Sequence, residues 1–334
     1  MMGLKVRVAC IKDIAKITSF INNHWKKGHA LVKSVELFKW QHVENDIVNY
    51  IISENEKSET IDALFGFIPI SKFDTNLESK DYWGAMWKSV NNEVPSLGIF
   101  LIKFFLKKYN PNYVGFIGIS KDAENIYRKM GLKIKKLNHY VFINKRAKEF
   151  KIVESKIENS NYRIKDDQVL LKEIYELSKI DLLHNYRPKK TIEYVINRFQ
   201  NHTHYKYRFI GIYKEKKLIS ILIIRKQEVD TSSCINIIDI FGKIEEIPNI
   251  QSELSEFLVS ENSEYIDCLN YGINDDVFKK IGFNKVDINN QTVPIYFEPF
   301  ERKNVEIKFS YISNYNDFII FKGDGDQDRP NIIL

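Results

Sequence analysis

Apolar positions along the chain alternate between two periods, and the switching predicts the elements. Leu4–Ala9 alternates and reads as a strand. Within Asp13–Trp25 the residues Ile14, Ile17, Phe20 and Ile21 share one side of a helix. Ile61–Ile70 and Tyr82–Val90 read as strands separated by a turn at Asn76–Asp81. Leu97–Tyr109 is apolar at 97, 101, 104 and 105, carries Lys103, Lys107 and Lys108 in its second half, and stops at Asn110-Pro111. Cations there suit the negative end of a helix. Tyr113–Ile119 reads as a strand, and Leu132–Lys136 and His139–Asn144 are expected to close the sheet.

The same order returns later in the chain. Residues 127–132 (Tyr-Arg-Lys-Met-Gly-Leu) match 278–283 (Phe-Lys-Lys-Ile-Gly-Phe) at an offset of 151. That offset also lays Tyr113–Ile119 on Glu264–Asn270, and the helix from Leu97 on Pro248–Ser260. A hairpin, Tyr207–Tyr213 and Leu218–Arg225, precedes the second set. Helices and strands alternate, so the class is mixed α/β (α+β), in two tandem copies. A charged stretch from Lys145 to Ser160 separates them. The expected domains are 1–148 and 161–334, with a linker at 149–160. At 334 residues, each half is long enough to bury its own core.

Composition narrows the function classes. Lys and Arg exceed Asp and Glu by 50 to 44, a mild excess without an arginine-rich tract, so a nucleic-acid partner is not expected. Cys10, Cys234 and Cys268 are far apart and form no Cys-x-x-Cys, which excludes a disulfide scaffold or zinc site and predicts a reducing, cytoplasmic setting. No run approaches the apolar length of a spanning helix. Asp324, Asp326 and Asp328 have the first spacings of a calcium loop, but Arg329 stands where its glycine belongs, so no metal is expected.

Strand, tight loop, apolar helix, strand and a short helix ending Tyr-x-x-x-Gly, over residues 82–132, resemble the acetyl-coenzyme A core of the GNAT N-acetyltransferases. The family's phosphate loop runs Arg/Gln-x-x-Gly-x-Gly/Ala. Glu93, Ser96 and Gly98 stand at those positions, and two of the three depart from it. Ala123, Tyr127 and Gly131 match the closing helix. The chain is also similar to tandem GNAT proteins of bacterial surface-polysaccharide gene clusters. These share the Trp-rich strand, the Pro-Ser-Leu-Gly loop and an ending like that at Lys322–Asn331.

The resemblance implies acetyl transfer from acetyl-CoA to a small-molecule acceptor, an amino sugar carried on a nucleotide. It implies Val90, Val94, Ser96, Leu97, Gly98, Ile99 and Asn125 as coenzyme-binding residues. Amides at a helix start suit a pyrophosphate, and small residues admit it closely. Tyr127 is the expected acid for the departing thiolate. Glu93 is the other catalytic candidate, with His24, His29, His42 and Asp81 as further candidate bases. Trp83, Asp324, Asp326, Gln327 and Arg329 are the expected acceptor contacts. His184, Tyr186 and Arg187 are also candidates for a nucleotide sugar. Trp83 and Trp87, four apart, are expected on one strand face. In the second copy Glu245 and Glu246 replace the phosphate loop and Phe278 replaces Tyr127, which predicts a copy without coenzyme. The alternatives are an aminoacyl transferase of tandem GNAT fold acting on a cell-wall precursor, and a non-catalytic binding module.

Overall fold

The structure is a computed structural model that describes residues 4–90, 94, 96–155, 166 and 168–330. The chain forms two compact units that exchange segments. The first takes the residues up to Ile134, then Phe309–Asn316, then those from Gly325 on; the second takes Lys135–Lys308 and Asp317–Asp324. Neither unit is continuous, whereas the sequence reading took them as 1–148 and 161–334.

In the first unit, strands β1 (Leu4–Cys10), β2 (Ile47–Asn55), β3 (Ile61–Pro69) and β4 (Asp81–Ser89) pair antiparallel in that order. Strand β5 (Tyr113–Ile117) joins β4 in parallel. Helices α1 (Ile14–His24) and α2 (Val35–His42) cover one face, where Ile17, Phe20, Leu37 and Phe38 meet Tyr50, Ile52, Leu64 and Met86. Helix α3 (Leu97–Tyr109) covers the other, packing Leu97, Leu101, Ile102 and Phe105 on Phe65, Phe67 and Phe116. It ends where expected, with Asn110 at φ 43° before Pro111. Helix α4 (Lys121–Lys129) ends on Gly131 at φ 84°, whose N–H bonds Arg128 O while Leu132 N–H bonds Tyr127 O. These are the two bonds of a Schellman cap. Arg7 grips Asp13 with two bonds of 2.6 and 2.7 Å, which fixes the turn from β1 into α1.

A bulge corrects one expectation. Phe65 faces Trp87 but Phe67 faces Gly84, so Ala85 and Met86 together oppose Gly66. The extra residue inverts the alternation of β4. Trp83 therefore packs edge-on against Tyr113 at 5.3 Å, while Trp87 packs on Tyr127 at 5.5 Å among the α3 side chains. The two indoles lie on opposite faces of the sheet.

The second unit begins with β6 (Asn138–Ile143), which was expected to close the first sheet. It pairs instead in the second sheet, which comprises β7 (Val169–Glu173), β8 (Arg208–Lys214), β9 (Lys217–Val229), β10 (Ser232–Gly242) and β11 (Tyr265–Tyr271). β6 lies antiparallel to β11. Its Tyr140 ring stacks on Phe278 at 3.9 Å, so its apolar residues are satisfied there. Strand β12 (Lys308–Ser313) takes the vacated role and lies antiparallel to β5 through Phe309–Ser313. Helices α5 (Gln251–Ser260) and α6 (Asp275–Lys280) repeat α3 and α4. After α6, Gly282 and Phe283 repeat the Schellman bonds, to Lys279 O and Phe278 O.

A buried ion cluster holds the chain's return into this unit. Lys190 Nζ lies 2.6 Å from Asp239 and 3.0 Å from Asp324, and all three side chains are at most 2% exposed. Burial opposes the lysine's charge, but the two carboxylates outweigh it and raise its pKa, so it stays protonated. Replacing Lys190 with Met should lower stability by about 3–5 kcal/mol, because two carboxylates lose their cation in an apolar setting. Urea unfolding measures this; a loss below about 1 kcal/mol would show the cluster to be energetically idle.

Candidate functional site

The first unit's sheet opens at one point. Parallel pairing of β4 with β5 runs from Asp81–Tyr113 to Gly84–Phe116 and stops. β4 continues to Ser89, still paired with β3. Among the described residues, no strand pairs with Ala85–Ser89 on the β5 side. β5 turns away after Ile117 through Gly118 at φ 74°. Two glycines permit close packing at this opening. A Cβ on Gly84 would come within 2.3 Å of the Phe116 ring, and one on Gly98 within 2.7 Å of the Trp87 indole nitrogen.

The expected coenzyme residues run from the end of β4 into α3, with Asn125 on α4. Val90 closes β4 with its N–H on Asp62 O at 2.9 Å. Val94 is half-buried, Ser96 exposed, Leu97 and Gly98 buried, Ile99 half-buried and Asn125 exposed. Ser96 makes no side-chain cap, so it is not fixed by a capping bond. α3 has 13 residues, and its positive end rises from the loop that follows β4. Tyr127 is buried between Phe116 at 4.7 Å and Trp87. Burial pushes its phenol well above the ordinary value, so it keeps its proton at neutral pH. Glu93 lies outside the described residues.

The opposite face of the same sheet carries a second group of polar side chains. Tyr50 crosses Gly66, where a Cβ would come within 2.8 Å of its ring. His42 packs on Tyr50 at 4.7 Å and contacts Phe67 O at 3.3 Å and Gln41 Nε2 at 3.1 Å. Those partners assign its proton to Nδ1. His29 caps a short helix, its Nδ1 accepting from Leu31 N–H at 3.2 Å. The C-terminal turn reaches this face: Gly325 would place a Cβ 3.6 Å from Trp83 Cβ. Gln327 Nε2 donates to Ile117 O at 2.9 Å, and Arg329 pairs with Asp326. Asp326 and Arg329 act electrostatically on both His29 and Tyr50.

Several sequence candidates serve elsewhere. Asp324 belongs to the ion cluster with Lys190, and its carboxylate also accepts from Phe321 N–H at 2.9 Å. Asp81 sits at the far end of β4, bonded to Tyr315 Oη at 2.9 Å. His24 is exposed and packs on Phe20. In the second unit, His184 accepts from Gly242 N–H at 3.2 Å and Tyr186 from Ile244 N–H at 3.1 Å, so both brace the turn after β10. Arg187 offers its carbonyl to Ile319 N–H in the same unit. Tyr50 went unnoticed in the sequence. Its only signal was the alternation Val48, Tyr50, Ile52 within β2.

The second unit's opening is sealed by the chain itself. β10 and β11 pair from Ile235–Ile266 to Ile237–Cys268 and then part. Strand β13 (Ile320–Phe321) enters there, antiparallel to β11 at Asn270 and Tyr271. Lys322 N–H bonds Leu269 O at 3.1 Å, and Gly323 N–H bonds Ile238 O at 3.2 Å. The segment thus bonds both parting strands. Ile244, Ile247 and Ile250 fill the loop before α5 and are fully buried.

The buried histidines set a pH dependence. Burial foremost, with help from Arg329, pushes His29 down to about 4, and burial pushes His42 down to about 3. From about pH 6.5 down to about 4, protons bind these rings in the unfolded chain only. The unfolded state therefore gains protons and stability falls with falling pH, by up to about 1.4 kcal/mol per pH unit for each ring. His42→Gln should flatten that slope in urea unfolding between pH 7 and 5; an unchanged slope would contradict it.

No protein-family model matches the sequence, and no curated protein sequence matches it. Solved structures do. A GCN5-related N-acetyltransferase from Anabaena variabilis superposes with a TM-score of 0.54 at 11% identity, over 97% of this chain and 86% of that one. A conserved protein of unknown function from Enterococcus faecalis, described as a probable N-acyltransferase, superposes with 0.51 at 9% identity, over 91% and 72%. At such identities the likeness concerns the fold. The chain has the fold of the GCN5-related N-acetyltransferases, built twice in tandem.

Proposed function

We propose that the first unit transfers an acetyl group from acetyl-CoA to an amine, and that the second unit lends support without binding coenzyme. The contrast between the two openings carries this reading. One is free of paired strands beside a helix start, and the other is filled by β13 and Gly323. Gly84 and Gly98 let the Phe116 and Trp87 rings pack close beside the parting strands. Val94 to Ile99 would hold the pyrophosphate on the positive end of α3. Acetyl-CoA supplies an activated carbonyl whose carbon–sulfur bond breaks as a carbon–nitrogen bond forms. The acceptor would bind as an ammonium beside Asp326, lose one proton to water before its nitrogen attacks, and lose a second to water as the amide forms. Tyr127 would give its proton to the departing thiolate and regain one from water. A backbone N–H of β4 would steady the carbonyl oxygen. Gln327, Arg329 and Trp83 would line the acceptor side. Its acceptor is read, by resemblance, as the amino group of a nucleotide-linked sugar in surface-polysaccharide synthesis; the scattered cysteines suit a reducing, cytoplasmic setting.

Thermal-shift titration tests the coenzyme step. Acetyl-CoA at about 100 times its dissociation constant should add about 2.7 kcal/mol of stability. No shift at millimolar coenzyme would turn the reading to a different acyl donor, such as aminoacyl-tRNA, or to a binding module. Tyr127→Phe should lower kcat on the order of a hundredfold while the coenzyme-induced shift is retained. Undiminished turnover would remove the phenol from the acid role.

A further inference from the structure

Two buried polar atoms on the α1/α2 face have no protein partner: His29 Nε2 and Tyr50 Oη. Both residues are at most 2% exposed. Trp83 Nε1, on the same side of the sheet as Tyr113, is a third. Orphaned donors of this kind are costly and rare in native proteins. The role of His29 Nε2 is settled by its neighbour. Because Nδ1 accepts from Leu31 N–H, the neutral ring carries its proton on Nε2. Burial keeps the ring neutral at ordinary pH. His29 is thus a fixed donor that wants an oxygen. Tyr50 Oη can donate or accept. Asp326 and Arg329 both act on these two residues, so acid and base stand within electrostatic range of two unpaired hydrogen-bonding groups.

We propose that His29 Nε2 and Tyr50 Oη receive hydroxyl oxygens of the acceptor, so that this face selects a hydroxylated amine over a plain alkyl amine. This rests on reading Asp326 as the partner of the acceptor's ammonium group. An apolar amine would leave His29 and Tyr50 still unpaired, and such a mismatch discriminates more sharply than a gap in an apolar wall. The two residues act as specificity determinants. They lie on the sheet face opposite the Tyr127 side, so they take no part in proton transfer to sulfur.

The test uses glucosamine and cyclohexylamine, titrated by NMR into the full chain with no acyl donor present. Tyr50→Phe keeps the ring over Gly66, and His29→Asn keeps an acceptor for Leu31 N–H. Each variant should weaken glucosamine about tenfold and leave cyclohexylamine unchanged. Free Tyr50→Phe should melt no lower than the parent, because only an unpaired hydroxyl is lost. Equal weakening of both amines, no weakening of glucosamine, or a lower melting temperature for Tyr50→Phe would overturn the inference; the last would mean that the hydroxyl serves a structural bond or a buried water only. A parent protein that binds neither amine would overturn it as well. Without an acyl donor, the outcome is independent of transfer. Hydroxyl-dependent binding with no thiol release from acetyl-CoA would sink the transferase reading alone.

Discussion

Everything in the first unit is arranged around a pair of parallel strands that cooperate for four residue pairs and then separate. A strand that runs on without a neighbour presents backbone donors and acceptors that must be met by something. In the second unit they are met by the chain's own Ile320–Gly323, which bonds both parting strands. In the first, among the described residues, no strand meets Ala85–Ser89 on the β5 side, and the Trp87 indole packs against Gly98. One fold thus yields two different local solutions to the same parting of strands.

Both units bury polar groups. In the second, Lys190 answers Asp239 and Asp324, and Asp267 takes bonds from His139 and Asn236. Each unit also holds buried polar atoms without a protein partner, among them Ser220 Oγ and Ser255 Oγ in the second and His29 Nε2, Tyr50 Oη and Trp83 Nε1 in the first.

Much of this was legible in local sequence. α3 runs from Leu97 to Tyr109 as its lysines and Asn-Pro stop require, and both Gly131 and Gly282 occupy the cap positions that the repeat marks. These are short-range features, fixed by residues a few positions apart. Four things were not legible. α2 and β2 are marked only by the Ser34 cap and the turn at Asn45, residue types too common in loops to decide alone. The bulge at Ala85–Met86 changes parity without any marker such as glycine, so the two indoles were put on one face. His139–Asn144 and Phe309–Ser313 look alike as strands, and only long-range pairing decides which sheet each joins. Asp324 and Asp326 are two residues apart yet end in different units, which no spacing rule distinguishes. For the site, the helix start and Tyr127 came from pattern, whereas Tyr50 and the role of His29 depend on contacts across the sheet.

The exchange of segments has a consequence for how the protein is made. Phe309–Asn316 and the turn from Gly325 onward are made after the whole of Lys135–Lys308, yet they belong to the first unit. Domains usually fold in order of synthesis. Here the first unit has to wait, with β5 bare along one edge, until Lys135–Lys308 and the strand that follows it have been made. The interval in which that edge is unprotected is set by translation time, so slow synthesis should favour aggregation of this chain more than its size alone would suggest.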